Sequence, residues 1–149
     1  MTEKNTFGGG SGTALDKIPQ PACAAFLGYE LLSVDREAKT MRVAFRGTKE
    51  MLNPRGGVQG GFLTAMLDDA SGSMVVVLTN GAKAPASVDI HTQYFKPAGV
   101  ERLICEAELV HMTKSTAFTR ATLYNEAGEK VAAASQTARL LDLQAGTSR

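Results

Sequence analysis

Hydrophobic and polar residues alternate along most of the chain beyond residue 29, which is the pattern of β-strands that bury one face. In residues 29–46, Met41, Val43 and Phe45 occupy one face, and the polar stretch 35–39 supplies a turn. Four further segments alternate in the same way and are joined by short turns: 86–95, 101–112, 116–124 and 130–141. The pattern predicts a hairpin followed by four strands in an antiparallel meander.

One long apolar stretch, which runs to about Leu78, breaks this alternation and has the length of a helix. It follows a glycine-rich segment at 53–61, and a short helix is predicted at 21–29. Apolar side chains occupy nearly the whole circumference of the long helix: Phe62, Leu63, Ala65, Met66, Leu67, Ala70, Met74, Val75, Val76 and Val77. Such a helix needs cover from a sheet on one side and a partner on the other. We predict an α+β fold, an antiparallel sheet curved around one long central helix.

The composition narrows the class of protein. The chain has 149 residues, 44% of them hydrophobic, and a formal net charge of +1, which gives no overall field for nucleic acid. Its longest purely aliphatic run, at 74–78, is far too short to cross a membrane, and its two cysteines and two histidines form no metal-ligand pattern. We predict a soluble, cytoplasmic protein with no nucleic-acid, membrane or metal partner. The glycine-rich start predicts a flexible leader at 1–20, before one domain at 21–141 and a flexible tail at 142–149.

Two adjacent carboxylates, Asp68 and Asp69, lie on the predicted apolar helix. A buried carboxylate is costly unless it is hydrogen-bonded or functional. At the start of the same helix, Gly60 and Gly61 expose N–H groups at the positive end of the helix dipole, with no side chains in the way. Such an end can hold an oxyanion. Asp68 is seven residues further on, about 10 Å along the axis, so it cannot reach a ligand bound there by its own chain.

The order of the elements and the stretch Asn53-x5-Gln59-Gly60-Gly61-x6-Asp68 resemble the hotdog-fold acyl-CoA thioesterases. The group resembled is the phenylacetate-pathway and 4-hydroxybenzoyl-CoA thioesterase-like one, whose motif is N-x5-HGG-x6-D. The resemblance covers residues 21–141, including SVD at 87–89 and a closing hairpin at 114–137. The specific part is the spacing, since 68 − 53 = 15 positions is the separation that the family uses.

This resemblance implies a hotdog fold and a hydrolase that splits an acyl-CoA thioester into free acid and CoA. It implies that the Gly61 amide binds the thioester carbonyl, with Asn53 and Gln59 shaping that end of the pocket. It also implies a homodimer, or a homotetramer, with shared active sites, because the helices of two subunits run antiparallel in the family. Asp68 then acts in the neighbour's site as general base or nucleophile, and Ser87 helps to hold the attacking water.

The expected substrate site includes Gly60 at the helix start. We expect Phe62 and Met66 to line the acyl pocket together with residues of the partner, which suits aromatic and medium-chain acyl groups alike. Among the basic residues, Lys114 lies in a turn like that of the family and is the candidate contact for the CoA phosphates. CoA enters as part of the substrate, and we expect no other cofactor.

One position departs from the family motif, because Gln59 stands where histidine is usual. An amide can donate and accept hydrogen bonds but cannot take up or release a proton near neutral pH. Proton transfer must then be performed by a carboxylate. The departure favours an alternative, a non-catalytic acyl-CoA or acyl-carrier binding protein on the hotdog fold. A hotdog hydratase or dehydratase is disfavoured, because it would need an Asp/His pair near the helix start.

Several of these residues also have a structural alternative. Asp68 could be a buried acid satisfied by the backbone or by Ser71. Asn53 could only order its loop, a role that asparagine often has. Ser87 could be an ordinary strand residue. Asp69 is expected to be structural, because adjacent helix positions do not share a face.

Overall fold

The computed structural model describes residues 5–143, in which six antiparallel strands form one sheet. Along the chain the helices and strands are α1 (Ala22–Leu27), β1 (Glu30–Asp35), β2 (Thr40–Arg46), α2 (Gly60–Leu78), β3 (Lys83–Tyr94), β4 (Arg102–Met112), β5 (Thr116–Tyr124) and β6 (Lys130–Asp142). The prediction of an α+β fold with one long helix and an antiparallel sheet is confirmed. Each predicted strand and both predicted helices are present.

The order of the strands across the sheet is β1-β2-β4-β5-β6-β3, which differs from the predicted meander at one strand. β4, β5 and β6 do pair in sequence, but β4 pairs with β2 on its other side, and β3 lies at the far edge beside β6. Alternation shows which residues of a strand are buried, and it contains no information on which strand is the neighbour. The edge position of β3 therefore could not be predicted from the pattern.

Helix α2 packs against one face of this sheet and contacts strands β2 to β6. Met66, Leu67 and Met74 are fully buried in a core that β2, β4, β5 and β6 complete. By length and composition alone α2 would also qualify as a membrane span, and 56% of that stretch is buried inside the domain. The core helix of a folded domain has the same length and composition.

The edge strand β3 is twelve residues long, and most of its side chains are exposed. Its pairing with β6 is interrupted by a β-bulge between Ser87 and Asp89, which leaves Val88 out of register and 68% exposed. A bulge bends its strand and changes the direction of the side chains beside it. The bulge lies where β3 passes Asp68 of α2.

The segment before α1 is ordered against the domain, so the prediction of a flexible leader is wrong for residues 5–20. Leu15, in a 3₁₀ helix at Ala14–Lys17, is fully buried in the core. Phe7 contacts the ring of Tyr29 edge-on, with 4.5 Å between the ring centroids. Residues 1–4 of the predicted leader, and 144–149 of the predicted tail, lie outside the described residues.

The glycines of this segment form a turn rather than a flexible linker. The carboxylate of Asp16 accepts hydrogen bonds from the backbone N–H groups of Gly10, Ser11 and Gly12. Gly10 and Gly12 have positive φ angles, which residues with a side chain rarely adopt. The glycines thus permit the turn that Asp16 closes and that places Leu15 in the core.

Candidate functional site

The first turn of α2 presents two backbone N–H groups without an acceptor. Gln59 precedes the helix and donates its own N–H to the carbonyl of Met51 at 2.8 Å. The N–H groups of Gly60 and Gly61 have no acceptor within residues 5–143. Gly61 is exposed, and a Cβ placed on it would meet no atom within 4 Å. The helix therefore begins with an open pair of donors at its positive end.

A cavity of about 380 Å³ lies beside these donors. It extends between the loop before α2 and the end of β3, and its lining includes Asn53, Arg55, Gly60, Tyr94 and Lys96. Arg55 and Lys96 are the cationic side chains of the lining, and Lys96 forms an ion pair with Glu129. The charge of Arg55 therefore favours an anionic ligand in this cavity.

Asn53 orders the loop that forms one wall of this cavity. Its Oδ1 accepts hydrogen bonds from the backbone N–H groups of Arg55 at 2.9 Å and Gly57 at 3.2 Å. Its backbone N–H donates to the Gly57 carbonyl at 2.7 Å. The structural alternative for Asn53 is thus present in the structure, and the residue also lines the cavity.

Asp68 lies two turns into α2 and is held by two side chains of the sheet. The Ser87 hydroxyl donates to Asp68 Oδ1 at 2.8 Å, and the Gln136 side-chain amide donates to the same oxygen. Gln136 also donates to Ser87 Oγ at 2.9 Å. Asp68 Oδ2 accepts no hydrogen bond from any group in residues 5–143. The cluster fixes one carboxylate oxygen and leaves the other available.

Gln136 is the member of this cluster that sequence reasoning missed. It is 4% exposed and lies on β6 between Ala134 and Ala138, which are buried on the same face. A buried glutamine needs partners for its amide, because an unpaired buried polar group is costly. The signal was therefore available in the sequence, as a large polar residue at a core-facing position of an otherwise alternating strand.

Asp69 is half-buried and takes no part in the hydrogen bonds around Asp68. Its Oδ2 is buried without a hydrogen-bond partner among the described residues. Burial, with a smaller contribution from the charge of Asp68, raises the pKa of Asp69 from 3.8 to about 7. The two adjacent carboxylates therefore occupy different environments, as expected for adjacent positions on a helix.

Replacing Asp69 with asparagine should stabilise the protein at alkaline pH. The folded state binds the Asp69 proton more tightly than the unfolded state, so the free energy of unfolding falls as pH rises between the two pKa values, 3.8 and about 7. Urea unfolding should show a gain of roughly 2–4 kcal/mol for Asp69→Asn at about pH 8, and almost none at about pH 3. A parent and a variant that lose stability equally over this range would show that the carboxyl is not the cause.

The structure separates the predicted site residues into two groups within one chain. Gly60 and Gly61 begin α2 and Asn53 lies in the loop before it, whereas Asp68, two turns along α2, meets Ser87 of β3. Gln59 is exposed and adjoins the first group. Phe62 is half-buried and contacts Phe26, with 5.9 Å between the ring centroids. Lys114 lies in the turn between β4 and β5.

Met66 does not fit its predicted place in the acyl pocket. Its side chain is fully buried in the core of the chain and lines none of the cavity at the helix start. The prediction placed Met66 beside Phe62 in that pocket. Met66 instead lies on the face of α2 that packs against the sheet.

Comparison with known proteins yields a family and several similar structures. A family model of the thioesterase superfamily matches residues 56–132. A solved structure of a phenylacetic acid degradation-related protein from Ralstonia eutropha JMP134 is 32% identical, with a TM-score of 0.77 over 83% of this chain and 92% of that one. No curated protein matches the chain significantly.

More distant structures share the fold. The E. coli PaaI protein from the phenylacetic acid degradation operon is 22% identical, with a TM-score of 0.73 over 81% of this chain and 85% of its own. A Streptococcus mutans UA159 protein solved bound to acetyl CoA is 20% identical, with a TM-score of 0.68 over 78% of this chain and 90% of its own. These likenesses agree with the hotdog arrangement of one sheet and one long helix.

Proposed function

This chain belongs to the thioesterase superfamily, and from that membership we propose that it hydrolyses an aromatic or medium-chain acyl-CoA to the free acid and CoA. The observation that supports the proposal most directly is the environment of Asp68. One of its oxygens is fixed by Ser87 and Gln136, and the other accepts no hydrogen bond within the described chain. A carboxylate held in this way is oriented for reaction with a group outside its own chain.

The helix start supplies the electrostatic part of the reaction. As the thioester carbonyl is attacked, its oxygen gains negative charge, and the Gly61 N–H donates a hydrogen bond to it. Preorganised backbone donors of this kind stabilise the transition state by about 3–4 kcal/mol each in comparable sites. The open space at Gly61 is consistent with a ligand approaching the backbone there.

Asp68 performs the proton or covalent step. As general base, it takes a proton from water while the water oxygen bonds to the carbonyl carbon. Collapse of the tetrahedral intermediate then breaks the C–S bond, and the proton held by Asp68 passes to the departing sulfur, which releases CoA as the thiol. As nucleophile, it bonds to the same carbon, expels CoA and forms a mixed anhydride that water then hydrolyses. Both routes use the carboxylate oxygen that lacks a partner, and Ser87 serves as a positioning group for either.

The two halves of the site come from two subunits. Gly61 and Asp68 of one chain are separated by about 10 Å along the helix axis, too far for one thioester carbonyl. We propose a homodimer, or a homotetramer made of such dimers, in which antiparallel α2 helices bring Asp68 of one copy to Gly61 of the other. The long edge strand β3, with exposed Val88, supports association, because an unpaired strand edge offers backbone groups for pairing.

The substrate has a polar end and an apolar end. The CoA phosphates bind cationic side chains, with Lys114 as the first candidate, and Arg55 and Lys96 line the cavity at the helix start. The acyl group packs against Phe62 and the partner. The acetyl CoA bound to the Streptococcus mutans protein of the same fold supports an acyl-CoA ligand.

A panel of acyl-CoA substrates, assayed with a reagent that detects the released thiol, tests this function. We expect hydrolysis of at least one aromatic or medium-chain acyl-CoA by the parent protein. Binding of acyl-CoA without thiol release across the panel would favour the second candidate, a non-catalytic acyl-CoA or acyl-carrier binding protein. Gln59 favours that candidate, because an amide cannot transfer a proton.

Two substitutions of Gln59 should lower activity to different extents. Replacing it with alanine should lower kcat/KM by the equivalent of about 1–3 kcal/mol, because a hydrogen bond to the substrate or water is lost. Replacing it with histidine should keep activity within a few-fold, since a ring nitrogen can also donate or accept. Steady-state kinetics on the best substrate measure both effects. Equal kcat/KM for Gln59→Ala and the parent would show that the side chain takes no part.

A further inference from the structure

We propose that Tyr94 is a positioning residue that orients and polarises the Gly61 amide, an inference that rests on the thioesterase function proposed above. The Tyr94 hydroxyl donates a hydrogen bond to the carbonyl oxygen of Gly60 at 3.0 Å. The Gly60 carbonyl and the Gly61 N–H belong to the same peptide unit, which is planar. A hydrogen bond at one end of this unit therefore fixes the direction of the other end.

The bond also strengthens the donor. Hydrogen bonds in a chain polarise one another, so an amide whose carbonyl accepts a bond is a better donor at its N–H. The Gly60 carbonyl lies in the first turn of α2, and the two residues before this turn are held by hydrogen bonds from Gln59 to Met51 and from Val58 to Ala98. Tyr94, at the end of β3, thus connects this peptide to the sheet.

The close approach of Tyr94 leaves little room for a side chain at residue 60. A Cβ at Gly60 would lie 3.0 Å from two ring carbons of Tyr94 and 3.3 Å from its hydroxyl oxygen. At Gly61 the same atom would meet nothing within 4 Å. The two adjacent glycines therefore serve different needs: Gly60 admits the tyrosine ring, and Gly61 leaves the front of the amide open.

The hydroxyl of Tyr94 is itself held in place. Thr64, one turn further along α2, has its Oγ1 2.5 Å from the Tyr94 hydroxyl oxygen and 3.0 Å from Thr92 Oγ1. A carbonyl has no proton, so Tyr94 must be the donor in its contact with Gly60, and Thr64 is then the donor in its contact with Tyr94. The arrangement joins β3 to the first turns of α2 through three hydroxyl groups.

The test is Tyr94→Phe, which keeps the ring against Gly60 and removes only the hydroxyl. We expect kcat to fall about five- to tenfold with KM within about twofold, less than the roughly 10²–10³ lost when an oxyanion donor itself is removed. In the ligand-free protein, the amide nitrogen resonance of Gly61 should move upfield, because its peptide carbonyl has lost a hydrogen bond. Tyr124→Phe is the matched control, since it removes a hydroxyl from β5. We expect this variant to change neither kcat nor the Gly61 resonance.

The two measurements, kcat and the Gly61 amide resonance, test the proposed function and this inference separately. If the parent protein hydrolyses no acyl-CoA, the thioesterase proposal fails, while the Gly61 resonance still decides whether Tyr94 controls that amide. An unmoved Gly61 resonance in Tyr94→Phe would overturn the inference, whatever happened to kcat. A shifted resonance with an unchanged kcat in an active enzyme would also overturn it, because the hydroxyl would then have no role in the reaction.

Discussion

Asp68→Asn should lose most thioester hydrolysis, with kcat lower by about 10³-fold or more, while the Kd for acyl-CoA stays within a few-fold. Asparagine has nearly the same size, and its side-chain oxygen can still accept the hydrogen bonds from Ser87 and Gln136 that hold Asp68. It cannot take a proton from water or attack a carbonyl carbon. The substitution therefore removes the chemical step and leaves the architecture of the cluster intact.

Asp69→Asn is the matched control for this change, because it replaces the same side chain at the adjacent helix position. We expect Asp69→Asn to lose far less activity, since its carboxyl lies outside the hydrogen-bonded cluster around Asp68 and one of its oxygens is buried. Steady-state kinetics give kcat, and calorimetry with a slowly hydrolysed acyl-CoA gives the Kd. If Asp69→Asn were inactive and Asp68→Asn were not, the assignment of the reacting carboxylate would be reversed.

Gly61→Pro should lose about 10²–10³-fold in kcat, the effect of removing one oxyanion donor. Proline has no N–H, and within the first turn of a helix that N–H has no intrahelical acceptor to lose. Gly61→Ala is the control, because it keeps the N–H and its Cβ would meet no atom of the chain within 4 Å.

The comparison of these two variants isolates the N–H from the added bulk. Circular dichroism and thermal unfolding confirm that each variant is folded before its kinetics are compared. We expect Gly61→Ala to retain much more activity than Gly61→Pro. If the proline variant hydrolysed the substrate as fast as the alanine variant, the amide would not be the oxyanion donor.

Much of the fold could be predicted because local pattern determines it. Alternation identified each strand, and an apolar run with almost no polar face identified α2. The resemblance to hotdog thioesterases rested on the spacing from Asn53 to Asp68, and the family match over residues 56–132 confirms it. The contact between Ser87 and Asp68 agrees with that resemblance, since the two residues are 19 apart in sequence and 2.8 Å apart in the structure.

The features of the fold and site that the sequence did not predict depend on tertiary contacts, which the hydrophobic pattern does not encode. The edge position of β3 follows from strand order, and the burial of Met66 follows from which face of α2 meets the sheet. Glycine-rich composition predicts flexibility at the start of the chain, whereas these glycines form a turn closed by Asp16. Gln136 and Tyr94 reach the site across the sheet, and no local spacing links either of them to α2.

The central claim is that the Gly61 amide of one subunit and Asp68 of another form one active site. Subunit mixing tests it most directly: Asp68→Asn and Gly61→Pro chains, each inactive alone, are co-refolded in equal amounts. Each heterodimer then has one site with both groups intact and one site with neither. Random pairing gives roughly half heterodimers, so activity should return to about a quarter of that of the parent. If heterodimers form, as native mass spectrometry would show, and the mixture stays as inactive as its parents, the two groups do not share a site.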